Sequence, residues 1–211
     1  MVDWDERFES GSYPQHPDPA PVLKRYVDGS GDGRALDVAT GTGRNAVFLA
    51  EHGYAVDALD KSRAGLETTR RNAAERGVAG NLNCIQTDIP SHTFPEGTYD
   101  IVTVSFYRAV DRFPDLKAAL APGGLFFVEH HLRTADPVEG GPSGDRYRFA
   151  ANELLNSCLD LTVLSYEEGI EVRDDGRESA IARIVARNAS GRQSYPRIRE
   201  WQRQESGDGR P

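Results

Sequence analysis

Short apolar runs alternate with longer amphipathic stretches along most of the chain. Residues 34–39 read as a strand ending in the turn Gly41-Thr42-Gly43, and residues 44–52 as a helix carrying Ala46, Phe48, Leu49 and Ala50, closed by Gly53. The β-prone run 54–59 stops at Asp60, and Ser62 is placed to cap a long helix to Arg76 that Gly77 ends. Residues 82–86, 99–105 and 125–130 give a third, fourth and fifth strand, with a helix over 113–120 stopped by Pro122-Gly123-Gly124. Then follow a helix at 149–158, a strand at 161–166, a polar turn at 173–178 and a strand at 180–186. Upstream, Asp3 is positioned to cap a short helix through Phe8, residues 14–21 form a proline-rich linker, and 21–28 read as a helix.

Strands that alternate with helices predict an α/β fold. The pattern is that of a Rossmann-like, doubly wound, mostly parallel seven-stranded sheet. The last two strands are joined by a polar turn rather than a helix, so the last hairpin is expected to be antiparallel. The predicted organisation is an N-terminal arm or lid at 1–21, one domain at 22–188, and a polar, arginine-containing tail at 189–211 to which no fold is assigned.

Composition narrows the class. At 211 residues the chain suits a single domain, and 38% hydrophobic with 27% charged residues is the balance of a soluble globular protein. No apolar run approaches the ~20 residues that span a bilayer, and the acidic, polar start is unlike a secretory signal, so a cytoplasmic protein is expected. Only Cys84 and Cys158 are present, which excludes a disulfide framework and a CxxC-type zinc site; no metal is expected. The net charge of −8 opposes nucleic-acid binding. Lys24, Lys61 and Lys117 are the only lysines, and this acid-rich, halophile-like composition weakens the charge argument. An RNA-directed reading has only the arginine-rich tail in its favour.

In an open parallel sheet the ligand sits beyond the carboxyl ends of the strands, where strand order reverses. After strand one comes Asp37-Val38-Ala39-Thr40-Gly41-Thr42-Gly43-Arg44-Asn45, a glycine turn feeding a helix N-terminus. Asp60 ends strand two, 17 residues past Gly43, where an acid can accept from ribose hydroxyls. Asp88 follows strand three beside the apolar Ile89. The spacing Gly41-x-Gly43-x-x-Ala46 also fits a nicotinamide-dinucleotide oxidoreductase. Against that, a carboxylate at Asp37 would repel a pyrophosphate and welcome an ammonium, and the end of strand four offers no second glycine-rich turn.

Residues 35–45 resemble motif I of the class I S-adenosylmethionine-dependent methyltransferases. Asp60 matches their ribose acid, Thr87-Asp88-Ile89 their adenine-binding acid and its apolar neighbour, Tyr99-Asp100-Ile101-Val102 their fourth strand, and residues 120–125 the turn into the fifth. The resemblance covers roughly residues 4–187. Trp4-Asp5-x-Arg7-Phe8 and Gly43-Arg44-Asn45 look closest to the tellurite-resistance and thiopurine type, which act on small molecules. The resemblance implies S-adenosylmethionine as cofactor, its methionine end held by Asp37 and the backbone of Gly41 to Gly43, with Ala39 and Asn45 also at the cofactor. It implies ribose at Asp60 with Lys61 beside it, adenine at Asp88 and Ile89, and closure of the site by the backbone at Val104 and Ser105.

It also implies a small-molecule acceptor (a thiol, a chalcogen oxyanion or an amine) methylated by in-line displacement. A non-catalytic S-adenosylmethionine-binding module is the further alternative. Beyond strand five, His130 and His131 are candidate bases. Neighbours on a strand point to opposite faces, so at most one of them meets the site. Arg133, Arg146 and Arg148 are candidates to orient an anionic acceptor, and Trp4, Phe8 and Tyr13 to form a lid. The segment Ser105-Phe106-Tyr107-Arg108 is unlike that of DNA amino-methylating enzymes, and no Pro-Cys nucleophile follows strand four.

Overall fold

Period-two alternation sorts the strand side chains into two apolar faces, and the helices cover them unequally. The computed structural model describes residues 3–11, 13–27, 31–173 and 176–195. β1 (Arg34–Val38), β2 (Ala55–Asp60), β3 (Leu82–Gln86), β4 (Tyr99–Ser105), β5 (Leu120–His131), β6 (Thr162–Val172) and β7 (Glu178–Arg187) form one sheet. Its order is β3-β2-β1-β4-β5-β7-β6. The first five strands pair in parallel, and β7 runs antiparallel to both β5 and β6. This is the doubly wound α/β architecture with an antiparallel final hairpin that the alternation predicts.

Among the described residues six α-helices accompany it: α1 (Trp4–Glu9), α2 (Pro21–Tyr26), α3 (Arg44–Glu51), α4 (Arg63–Glu75), α5 (Phe113–Ala118) and α6 (Glu153–Asn156). On one face Ala35, Val56, Ala58, Ile101 and Phe127 pack with α2 and α3 through Leu23, Ala46 and Leu49. On the other, Leu36, Val38, Val102, Val104, Phe126 and Val128 meet Phe113 and Leu116 of α5, Leu154 of α6, and Phe149. Asp57 is buried in β2 and fully engaged. It accepts from Arg34 Nη2, Asn83 Nδ2 and Tyr99 OH, each at 2.9 Å, so its charge is compensated where it lies. Among the described residues no helix is long and apolar enough to cross a membrane.

Several boundaries differ from the sequence reading, each for a local reason. β5 begins at Leu120 and runs through Pro122-Gly123-Gly124, because Gly123 and Gly124 exchange backbone hydrogen bonds with Asn188 at 2.7 and 2.8 Å. The helix expected at 149–158 shrinks to α6. Phe149 is instead extended, its N–H donating to His131 O and its carbonyl accepting from Arg133 N, and Asn152 turns the chain at φ 59°. β6 and β7 extend beyond their apolar centres because cross-strand pairing continues to Val172 and Glu178. The expected tail is described only to Tyr195; Arg197, Arg199, Trp201, Arg203 and Arg210 lie outside the described residues.

Phe113 anchors the α5 face. It is fully buried and meets Phe126 edge-on at 5.2 Å between ring centroids. Phe113→Ala is expected to cost about 3–5 kcal/mol of unfolding free energy, read by urea denaturation. A loss below about 1 kcal/mol would show that this face is not the core of the domain.

Candidate active site

Strand order reverses between β1 and β4, and the turn leaving β1 stands at that crevice. Residues 39–43 hold three left-handed positions: Ala39 at φ 56°, Gly41 at 56° and Gly43 at 87°. A side chain at Gly43 would also place its Cβ 2.8 Å from Thr69 Cγ2. Asp37, wholly buried, fixes the turn from behind. Its Oδ2 accepts from Thr40 Oγ1 at 2.6 Å and from Ala46 N at 3.2 Å, and its Oδ1 from Thr103 Oγ1 at 2.6 Å. Burial pushes its carboxyl up to about 6 even against these hydrogen bonds.

Asp60 supports the turn from β2. It accepts from Gly41 N and Ser62 N at 2.8 Å each, and burial raises its pKa. α4 supplies contacts that sequence reasoning missed. Thr69 Oγ1 donates to Gly41 O at 2.9 Å, Asn72 Nδ2 donates to Thr42 O at 2.8 Å, and a Cβ at Gly65 would come within 3.0 Å of Gly41 O. The available signal was a buried helix stripe made of Gly65, Thr68, Thr69 and Asn72, small or polar where a core helix carries leucine.

The N-terminal arm lies over this turn. Asp5 accepts from Ser62 Oγ at 2.5 Å and Ala64 N at 3.0 Å at the start of α4. Phe8 is buried against Gly41 and Gly65, in a cluster with Trp4 and Tyr13 whose centroids lie 5.2–6.0 Å apart. Further along, Pro14 O accepts from Thr42 Oγ1, Gln15 O from Asn72 Nδ2 and Asp18 O from Arg44 Nε, while Ala20 N donates to Asn45 Oδ1. Asn45 is thereby engaged on both sides, since its Nδ2 donates to Ser105 Oγ at 2.9 Å.

Beyond β4, Phe106 adopts φ 55° and donates its N–H to Glu129 O at 2.8 Å. Glu129 and His131 share a face of β5, and the Phe106 ring lies 4.9 Å from that of His131. The buried His131 Nδ1 has no hydrogen-bond partner among the described residues. Burial, then the neighbouring His130 and Arg148, push His131 down to about 3. His130 projects to the opposite face, where it meets Phe149 edge-on at 5.4 Å, and burial pushes it to about 4.

The remaining expected residues are less concentrated. Arg148 donates to Pro142 O, Leu132 O and Gly140 O, all at 3.2 Å, and so organises the loop after β5. Arg133 is exposed and donates to Asp145 O; Arg146 is exposed over Tyr147. Lys61 and Asp88 are exposed beyond β2 and β3, Ile89 is buried, and the Val104 side chain is in the core, leaving only its backbone near the crevice. Arg44 and Arg183, both half-buried, form an ionic bridge across the buried carboxylate of Glu129. Arg183 was missed, although an arginine amid the apolar run 180–186 was its trace.

The donor set fits S-adenosylmethionine. A carboxylate oxygen that takes one backbone N–H keeps a lone pair for a ribose hydroxyl, and Asp88 beside Ile89 offers an acceptor and an apolar wall to an aminopurine. Residues 35–124 match the model of a methyltransferase domain. The ubiquinone/menaquinone biosynthesis C-methyltransferase UbiE of Azotobacter vinelandii is 29% identical over 154 residues, 67% of this chain and 60% of that protein. The chain thus spans about three-fifths of the length of that curated relative. Among solved structures, TehB from Haemophilus influenzae superposes with a TM-score of 0.64 at 22% identity, over 79% of this chain and 60% of its own. An S-adenosylmethionine-dependent methyltransferase from Methanosarcina mazei gives 0.66 at 14%, over 83% and 100%. Residues 35–124 thus carry a methyltransferase domain, and the chain shares the fold of the class I S-adenosylmethionine-dependent methyltransferases.

The depressed His130 pKa sets a pH dependence. The unfolded imidazole titrates near 6.5 and the folded one near 4, so the folded state binds fewer protons between those values. Its stabilising contribution is complete above pH 6.5 and erodes as pH falls toward 4. Over that window the wild type is expected to lose a few kcal/mol more than His130→Leu, measured by denaturant unfolding across pH. Parallel profiles would contradict the burial of a neutral His130.

Proposed function

We propose that the protein transfers the methyl group of S-adenosylmethionine to a small-molecule acceptor at the cleft between the β4 and β5 ends. The observation that carries this reading is the left-handed turn at 39–43, braced by Asp37 and Asp60 at the strand-order reversal. Bound cofactor supplies an activated methyl on a sulfonium, so the chain's work is alignment and exclusion of water. Gly41 and Gly43 present backbone to the methionine end, with Ala39 and Asn45 shaping the turn. Asp60, flanked by Lys61, takes the ribose hydroxyls. Asp88 and Ile89 take the adenine, and the backbone at Val104 and Ser105 closes the floor. The N-terminal arm, with Trp4, Phe8 and Tyr13, covers the turn from solvent.

On the acceptor side His131 faces Phe106. A neutral imidazole of such low basicity accepts a hydrogen bond but has little drive to remove a proton. That favours acceptors that arrive with a free lone pair: a thiolate, a chalcogen oxyanion or an unprotonated amine. Arg133 and Arg146, exposed at the rim, suit an anionic member of that set.

Calorimetric titration with S-adenosylmethionine, S-adenosylhomocysteine and NADH tests the reading. The first two are expected to bind in the micromolar range and NADH not to bind. Asp60→Ala is expected to weaken binding tenfold or more, the loss of hydrogen bonds to a charged group. Methyl transfer would then be assayed on thiols, selenite, tellurite and small amines. Failure of both sulfur nucleosides to bind would contradict the proposal.

A further inference from the structure

Glu129, two residues before the end of β5, is only 1% exposed, yet it reaches three separate parts of the site. Its Oε1 accepts from Arg44 Nη1 at 3.1 Å, its Oε2 from Arg183 Nε at 2.5 Å, and its main-chain oxygen from Phe106 N–H at 2.8 Å. Arg44 in turn begins α3 directly after Gly43. Its Nε donates to Asp18 O of the arm at 3.0 Å, and its guanidinium lies 5.7 Å from the Phe106 ring centroid. Arg183 is held from its other side by Glu167 and Glu171.

A bridge built on a buried carboxylate is a poor means of stabilisation. Desolvating the ions offsets most of their attraction, and a well-packed apolar group of the same volume often does as well. What charged, hydrogen-bonded partners add is direction: each guanidinium N–H must point at its acceptor. Here the directions converge on the turn after β1, the arm, and a non-glycine residue held in left-handed backbone. Such backbone persists only where its surroundings enforce it.

We propose that Glu129 is a positioning residue for the cofactor: through Arg44 it holds the glycine turn, the arm over it, and Phe106 in one arrangement. Cofactor affinity then depends on a carboxylate buried behind the cleft. This role rests on the S-adenosylmethionine-binding reading, and the two are separable by experiment.

S-adenosylhomocysteine is titrated into the full-length wild type, Glu129→Gln, Arg44→Gln and the double variant. Thermal unfolding and amide exchange of arm residues 13–20 are followed alongside. Glu129→Gln keeps the volume and loses the charge. It is expected to weaken binding at least tenfold while still folded at the assay temperature, and to speed exchange in the arm. In the Arg44→Gln background the same substitution is expected to change affinity less than twofold, because its effect runs through that arginine. Additive losses overturn the proposal. So does a Glu129→Gln protein that melts earlier but binds as the wild type does, which would mark a purely structural role. If Glu129→Gln does not fold, Arg44→Lys makes the test. Its point-charge ammonium cannot serve Asp18 O and Glu129 as the guanidinium fork does. It is expected to weaken binding at least tenfold, and unchanged affinity overturns the proposal. A wild type that does not bind the nucleoside takes the underlying reading down with it; a wild type that binds beside an unaffected Glu129→Gln removes only the positioning role.

Discussion

A single buried carboxylate, that of Asp37, sets the geometry on which the site depends. It joins the turn at Thr40, the start of α3 at Ala46 and the neighbouring strand at Thr103. A turn with three left-handed residues has little intrinsic preference for its shape, so its persistence requires such external bonds. Burial makes the ionised form costly, which is why the group titrates near 6 rather than below 4. For a raised acid the folded state holds the extra proton. Its contribution to stability therefore falls as pH rises from about 4 to 6 and is constant above. The site tolerates that cost in return for a rigid cradle.

Period-two alternation then decides which side chains join Asp37. Asp60, Ser105, Glu129 and His131 project to the α3 face at the carboxyl ends of their strands, and His130 projects to the other. The arm adds a layer outside the turn: Asp5 and Phe8 engage the start of α4, and the carbonyls of Pro14, Gln15 and Asp18 take donors from Thr42, Asn72 and Arg44. The glycine turn and the strand-end acids are thus local motifs. Long-range contacts among Arg44, Phe106 and Glu129, and the loop that Arg148 organises, complete the surroundings.

That division explains what was legible in the sequence. The strand–turn–helix succession, the glycine turn and the acids at strand ends obey short-range rules, and the mostly parallel sheet with its antiparallel last hairpin, Asp37 and Asp60 follow from them. The face of each histidine was open to strand alternation, but the unpartnered Nδ1 of His131 depends on a loop after β5 that has no periodic signature. Phe149 carried a helical pattern and became extended because pairing with β5 outweighed propensity. Arg44 and Glu129 lie 85 residues apart, and nothing local ties them. The polar stripe of α4 makes sense only once the turn it touches is in place.

The measurement that bears most directly on this construction is the affinity of Asp37→Asn for S-adenosylhomocysteine, beside the wild type at a temperature where both are folded. The amide replaces one acceptor oxygen with a donor, so either the Ala46 N–H loses its acceptor or the Thr103 hydroxyl must turn round to accept. If the buried carboxylate shapes the cradle, affinity falls tenfold or more. Wild-type affinity in that variant would contradict the dependence of the site on Asp37.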